Sequence, residues 1–209
     1  MESDRRHRLV QEAFARIDRQ AFCLPEYREH ADEDRPLPIG YEQTISQPSL
    51  VAYMTEVLEV EPRDRALEIG TGSGFQAALL AELGAEVYTI ERIEALAERA
   101  RCTLREQGYE AVHVRHGDGI QGWPEAAPFD IIIVSAAAET SPPALFAQLH
   151  PARGRLLVPE GSAGFRAQTL ALYRKTPTGD LEREALMAVR FVPLLPGLRP
   201  ADENAPEPE

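Results

Sequence analysis

The chain has 209 residues, 44% of them hydrophobic and 27% charged, the composition of one ordinary globular domain with a real core. Its net charge of −12 excludes binding that runs on a lysine- and arginine-rich surface, so no nucleic-acid partner is expected. No apolar run reaches membrane-spanning length, and Cys23 and Cys102 stand far apart without a CxxC pattern, as free thiols of a reducing cytoplasm would.

The opening "MESDRRHRLVQEAF" is charged and helical rather than a signal peptide. Leu9, Val10, Ala13, Phe14 and Ile17 share one face of a helix over 4–17, with Ser3 as its cap. The polar stretch "CLPEYREHADEDRPLPIGYEQTISQP", with Pro25, Pro36, Pro38 and Pro48, is expected to be a long ordered loop over the domain. Loops of that length are functional or disordered. Pro48 opens a helix over 48–59 that turns Leu50, Val51, Met54, Val57 and Leu58 inward.

From Arg65 onward, apolar strands alternate with helices. Strands are expected at 65–69, 86–90, 112–116, 130–135 and 155–159. Helices are expected at 74–83 and 93–107, ended by Gly84 and Gly108, and at 142–149 after Ser141. Continuous Ile and Val in "DIIIVS" suits a parallel strand covered on both faces. The fold class is therefore α/β, a doubly wound, mostly parallel sheet with an N-terminal helical extension. "QTLALYRK" and "MAVRFVPLL", separated by the turn "TPTGD", are expected to close one edge as an antiparallel hairpin. Residues 1–196 read as one domain, with helices and loop over 1–64 and the sheet over 65–196. The acidic segment 197–209, rich in Pro and Glu, is expected to be a disordered tail.

In such a sheet, ligands bind outside the carboxyl ends of the strands, where "EIGTGSGF" lies. Gly70, Gly72 and Gly74 leave the backbone bare to a ligand, and the helix that follows offers N–H donors to an anionic group. The spacing is G-x-G-x-G, not the dinucleotide fingerprint, which favours a smaller anionic end over a pyrophosphate. Glu91, ending the next strand, could accept two ribose hydroxyls or be a solvated strand-end charge. Asp118, between Gly117 and Gly119, could bond an adenine amino group or merely make an Asx turn. Together they fit an adenosine with a carboxylate-bearing arm, the shape of S-adenosylmethionine.

"PLPIGYEQTISQP", "LEIGTGSGFQAALLA", "VYTIER", "HGDG", "GWPEAAPFDIIIVSAAA", "LVPEGS" and "RFVPL" resemble, in order and spacing, the protein-L-isoaspartate O-methyltransferases over about residues 5–195. "IGYEQTISQP" is the more specific part, since many methyltransferases share the glycine loop. The resemblance implies a seven-stranded sheet, S-adenosyl-L-methionine as methyl donor, and isoaspartyl-containing proteins and peptides as substrates. A monomer is expected. Position by position, it implies Ser46 as the active-site serine, with Thr44 and Ile45 in its loop. It implies Gly70, Thr71, Gly72, Ser73 and Gly74 at the methionine end, Glu91 with Arg92 at the ribose, and Asp118 with Gly119 at the adenine. Ile39, Thr44 and Ser46, with Val189 and Phe191 from the 187–194 segment, are expected to meet substrate.

Three positions depart from the family pattern. Ala31-Asp32-Glu33-Asp34 stands for Ala-Tyr-x-Asp, Glu42 for a glycine, and Phe75 for a tyrosine. The first two bear on substrate preference and motivate one alternative: a carboxyl methyltransferase acting on ordinary aspartates of a dedicated peptide or protein. No metal is expected, because His113 and His116 fall on opposite faces of a strand and zinc-ligand spacing is absent. His7, His30 and His150 show no evident partner, there is no G-x-S-x-G elbow, and Trp123 reads as structural. A carboxylate substrate is already ionised at neutral pH, so Ser46 is expected to orient it rather than attack. Without the family, Ser46 would be a loop serine bonding nearby backbone.

Overall fold

A computed structural model describes residues 2–162 and 168–199. The N-terminal part comprises helix α1 (Glu2–Arg16), two short 3-10 turns, a hairpin of β1 (Leu37–Gly40) and β2 (Gln43–Ile45), and helix α2 (Pro48–Val57). α1 begins before Ser3, so that serine lies inside the helix rather than capping it. Val10, Ala13 and Ile17 are buried, whereas Leu9, assigned to the same face, is 46% exposed because it lies one residue off the packed stripe. The stretch 37–45 is not a simple loop. It pairs Leu37 with Ile45 and turns through Tyr41 and Glu42, both left-handed at φ of 54° and 63°. Such turns normally carry Gly, Asn or Asp, so no hairpin signal stands in the sequence.

The rest is β3 (Arg65–Ile69), α3 (Phe75–Glu82), β4 (Glu86–Glu91), α4 (Glu94–Glu106), β5 (His113–His116), β6 (Ile131–Val134), α5 (Pro143–Ala147), β7 (Arg155–Glu160), β8 (Gln168–Lys175) and β9 (Leu181–Val189). They build a seven-stranded sheet in the order β5-β4-β3-β6-β7-β8-β9, parallel from β5 to β7 and antiparallel beyond. Alternate residues of β6 face opposite layers. Ile131 and Ile133 pack with α1, α2 and α3, while Ile132 and Val134 pack with Phe129, Leu145 and Leu149. All four are fully buried, each contributing about 1.5–3 kcal/mol.

The predicted strands and helices lie within about two residues of those observed, the usual boundary spread, with β9 the exception. It begins at Leu181, six residues before the expected "MAVRFVPLL". The stretch "LEREA" is polar because β9 is the outer edge of the sheet, where charge blocks further pairing. Arg174 pairs with Glu184 at 2.7 Å, and Arg183 with Glu160 at 2.7 Å. The apolar residues after Val189 leave the ladder and cross the strand ends. Residues 197–199, grouped with the tail by composition, also pack. Gly197 N–H donates to Asp118 Oδ2 (2.9 Å), Arg199 N–H to Arg92 O (2.8 Å), and Glu94 N–H to Arg199 O (3.0 Å). The remainder of the expected tail lies outside the described residues.

The histidines have partners, some local and some distant in the chain. His7 meets Glu56 at 2.8 Å, His30 meets Glu33 at 2.7 Å, and His150 Nδ1 accepts Ala152 N–H at 3.3 Å. His113 stacks on Tyr88, and Trp123 packs edge-on to the same ring. Among the described residues no cluster of His, Cys, Asp or Glu is placed to hold a metal, and no helix is long and apolar enough to cross a membrane.

Candidate active site

Strand order reverses at β3 and β6, since β4 and β5 build out one way and β7 to β9 the other. A cavity of about 250 Å³ opens at that switch point, over the carboxyl ends of the strands. Residues 70–73 after β3, 91–93 after β4, Gly119 after β5 and Ser135 after β6 line it, with Ile45 and Ser46 of the hairpin and residues 191–195 opposite.

Glu91 is the best-fixed group of the cavity. It is buried, its Oε2 accepts the Gly72 N–H (2.9 Å) and its Oε1 the Ile93 N–H (3.0 Å). Burial raises its pKa while those main-chain bonds oppose the rise. Its remaining lone pairs are available to hydroxyl donors in the cavity. At Gly72 this geometry favours glycine. Its φ is 53°, and a Cβ there would press on Ile39 Cδ1 at 3.3 Å. Gly74 caps α3 without lining the cavity; the space a side chain would need is filled by Leu104. Arg92 lines the cavity and donates to Gly197 O at 3.1 Å.

The two halves of the expected adenine pair separate. Gly119 lines the cavity, but Asp118 does not. Its Oδ1 accepts the Ile120 N–H (2.9 Å), which is the Asx turn, and its Oδ2 anchors Gly197. Glu68 and Ser135 are among the lining residues that escaped the sequence reading. Glu68 is 1% exposed at the cavity floor, accepts the Thr89 hydroxyl (2.7 Å), and through Thr89 connects to Thr71 (2.6 Å). Burial, with Glu91 nearby, pushes its pKa up to about 8, so its carboxyl is neutral at pH 7. An acid within the apolar run "ALEIG" was the available signal. Ser135 follows "DIIIV" at the end of β6, where the strand-end rule points.

A second, wider cavity of about 970 Å³ adjoins the first, between α2 and residues 187–193. Thr44, Ser46, Ser135, Phe191, Val192 and Pro193 border both cavities, and Val189 borders the second. Ile39, expected at the substrate, lines neither. It is buried behind Gly72, because β1 runs beneath the glycine loop, and its carbonyl accepts from Arg99. Asp32 is exposed and lines neither cavity, and Glu42 lines only the first.

Among the described residues the Ser46 hydroxyl has no hydrogen-bond partner, so it does not make the local backbone bond typical of a loop serine. Arg19 holds its carbonyl, and Asp34 holds the residues that follow it. Arg19, 6% exposed, donates to the carbonyls of Ser46 (3.2 Å), Arg35 (3.3 Å) and Ala31. Burial lowers the Arg19 pKa, the charges around it only partly offsetting this. Asp34 accepts the Ser49 N–H (2.8 Å) and Gln47 Nε2 (3.0 Å), bonds that hold its carboxyl below the usual range. Among the described residues, no His, Lys or Cys lines either cavity. The junction therefore offers a free hydroxyl donor between a cofactor-sized cavity and an open groove, with no imidazole or amine to serve as base.

Comparison with known proteins agrees with this geometry. The family model described as protein-L-isoaspartate(D-aspartate) O-methyltransferase matches residues 2–198. A protein-L-isoaspartate O-methyltransferase of Gloeobacter violaceus is 53% identical over 182 residues, 87% of either chain. One from Anaeromyxobacter dehalogenans is 52% identical over 190 residues, 90% of either chain. A solved structure named protein-L-isoaspartate O-methyltransferase superposes with a TM-score of 0.80 at 30% identity, over 91% of this chain and 62% of that longer one. A Plasmodium falciparum structure in complex with S-adenosyl-L-homocysteine, 23% identical over 90% of either chain, shares the fold at a TM-score of 0.77. With the family model matched over residues 2–198 and relatives about half identical along most of their length, this chain belongs to the protein-L-isoaspartate(D-aspartate) O-methyltransferase family.

Proposed function

We infer that the protein transfers a methyl group from S-adenosylmethionine to the free carboxylate of L-isoaspartyl residues in damaged proteins and peptides, initiating their repair. The observation that carries this reading is the unpartnered Ser46 hydroxyl at the junction of the two cavities. Bound S-adenosylmethionine supplies an electrophilic methyl on a cationic sulfur. Glu91 would hold the ribose diol, the backbone at 70–73 the methionine end, and Gly119 the flank of the base, with Asp118 supporting from behind. A carboxylate of pKa near ~4 is ionised at neutral pH and needs no base, which agrees with the absence of His and Lys from both linings. Ser46 then donates one hydrogen bond to that carboxylate and orients it. Phe191 and Val192, together with Ile45, keep water from the junction. Orientation of this kind contributes roughly 7–11 kcal/mol in well-aligned systems.

Isoaspartate adds one methylene to the main chain and frees an α-carboxylate, so the groove is read as a bed for a short extended peptide. Esterification gives that carbonyl a methoxy leaving group, so the neighbouring backbone nitrogen can attack it, expel methanol and close a succinimide whose hydrolysis restores some aspartate. The protein is read as acting as a monomer. The unpaired Cys23 and Cys102 suit a cytoplasmic setting. The departures that motivate an ordinary-aspartate substrate do not reach the groove, since Asp32 lines neither cavity and Glu42 only the first. The test is methyl incorporation from labelled cofactor into paired peptides differing only in isoaspartyl against aspartyl linkage. Label is expected in the isoaspartyl peptide alone, and equal labelling of the aspartyl peptide would overturn the reading.

A further inference from the structure

We propose that Gln168 is a positioning residue for the peptide groove, a side-chain rung that holds its outer wall in place. The β8–β9 ladder ends where Gln168 faces Val189, and the chain then leaves the sheet to cross the strand ends. Gln168, 1% exposed, extends the ladder with its own amide. Its Oε1 accepts the Phe191 N–H (2.6 Å) and its Nε2 donates to the Phe191 carbonyl (3.1 Å). Chemistry fixes that orientation, because only the oxygen accepts and only the nitrogen donates. On the far side of the segment, Ala137 N–H donates to Val192 O (2.7 Å) and Ala137 O accepts the Leu194 N–H (2.7 Å). Phe191, Val192 and Pro193 are the residues of this wall that border both cavities beside Ser46 and Ser135. The wall is thus clamped by backbone from the β6 side and by a single buried side chain from the β8 side.

The clamp can be removed without touching any residue that lines a cavity. It rests on the reading of the wider cavity as the peptide groove. Gln168→Glu tests it with a near-isostere. Protonated, the glutamic acid offers a carbonyl to the Phe191 N–H and an O–H to the Phe191 carbonyl. Ionised, it sets a lone pair against that carbonyl and the rung opens. Burial raises the pKa of a carboxyl placed there. Among the described residues the charged groups nearby are Arg190, which precedes Phe191, and Glu160 of β7, which pairs with Thr169 and is tied to Arg183, Tyr173 and Ser141.

In the variant, KM for an isoaspartyl peptide should rise about tenfold at about pH 8, the effect of losing about one hydrogen bond, and return toward the wild-type value at about pH 6. Wild-type KM should stay flat over that range. Affinity for S-adenosylhomocysteine should change by less than about threefold, because Gly72 and Glu91 are held by loops that Gln168 does not touch. An unchanged KM, a rise that does not reverse at low pH, or an equal loss of cofactor affinity would each overturn the proposal. Hydrogen exchange gives an arm independent of activity. The Phe191 amide of the wild-type chain should exchange slowly, and rapid exchange there would overturn the rung even if the variant does not fold. If wild-type protein methylates no isoaspartyl peptide, the functional reading fails, while slow Phe191 exchange would still establish the rung.

Discussion

Ser46 combines a free hydroxyl with a main chain bonded by Arg19, so its reach is set while its donor stays available. Ser46→Ala should lower kcat on an isoaspartyl peptide while calorimetric affinity for S-adenosylhomocysteine stays nearly constant. One hydrogen bond to a charged group is worth roughly 1.5–3 kcal/mol, on the order of 10- to 150-fold in rate. Ser46→Thr keeps the donor and should retain part of the activity; an alanine variant turning over at the wild-type rate would remove the orienting role. Glu68 is the second residue with a measurable signature. Its folded pKa of about 8 exceeds the ordinary carboxyl value, so the folded chain keeps a proton that the unfolded chain releases. Stability from this group is full below the ordinary value and falls as pH rises toward about 8, by up to about 1.4 kcal/mol per pH unit. Glu68→Gln still accepts from Thr89 and has no proton to lose. Its Tm should fall less than that of wild type between about pH 6 and 8, and parallel melting curves would contradict the assignment.

The β1–β2 hairpin presents Thr44, Ile45 and Ser46, yet it is only two short strands with two left-handed residues at its turn. Little propensity holds it, so tertiary anchors must. Arg19 ties its end to residues 31 and 35 from below, and Asp34 ties the start of α2 just after it. An ammonium cannot span three fanned carbonyls as a planar guanidinium does. Arg19→Lys should therefore cost about 1.5–3 kcal/mol of stability and lower kcat/KM by about tenfold or more, with cofactor affinity little changed. Chemical denaturation and steady-state kinetics check it, and full activity in the lysine variant would show that the fork is dispensable. The sequence could not reveal this anchor. Arg19 lies 27 residues from Ser46, and nothing in "IDRQAF" distinguishes a buried arginine from a solvated one.

At the scale of the molecule, the last described residues close the first cavity from outside the sheet. Gly197 and Arg199 bond Asp118 and the 92–94 turn, and Arg199 itself lines the cavity. Ending the chain after Leu195 should weaken S-adenosylhomocysteine binding by about tenfold or more relative to a chain ending after Arg199, as expected for the loss of one or two hydrogen bonds. Calorimetry on the pair reads it directly, and equal affinities would show that the closure is ornamental.

The sequence by itself determined the parallel α/β sheet, its helices and the strand-end positions of Gly72 and Glu91. The reason is local: hydrophobic period, glycine termini and strand-end chemistry are written in neighbouring residues. The family resemblance extended this to Ser46, which no period or spacing distinguishes. Only the tertiary structure decided which acids serve the cavity. Asp118 turned out to be engaged with Ile120 and Gly197, whereas Glu68, unremarked in its strand, reached the floor. It also decided that Ile39 supports Gly72 from behind, that β9 begins in a charged stretch, and that Arg19, Asp34 and Gln168 hold the walls. Each of these depends on partners far apart in the chain. Burial and pairing of a polar side chain are set by what the fold brings opposite it, and no local pattern encodes that.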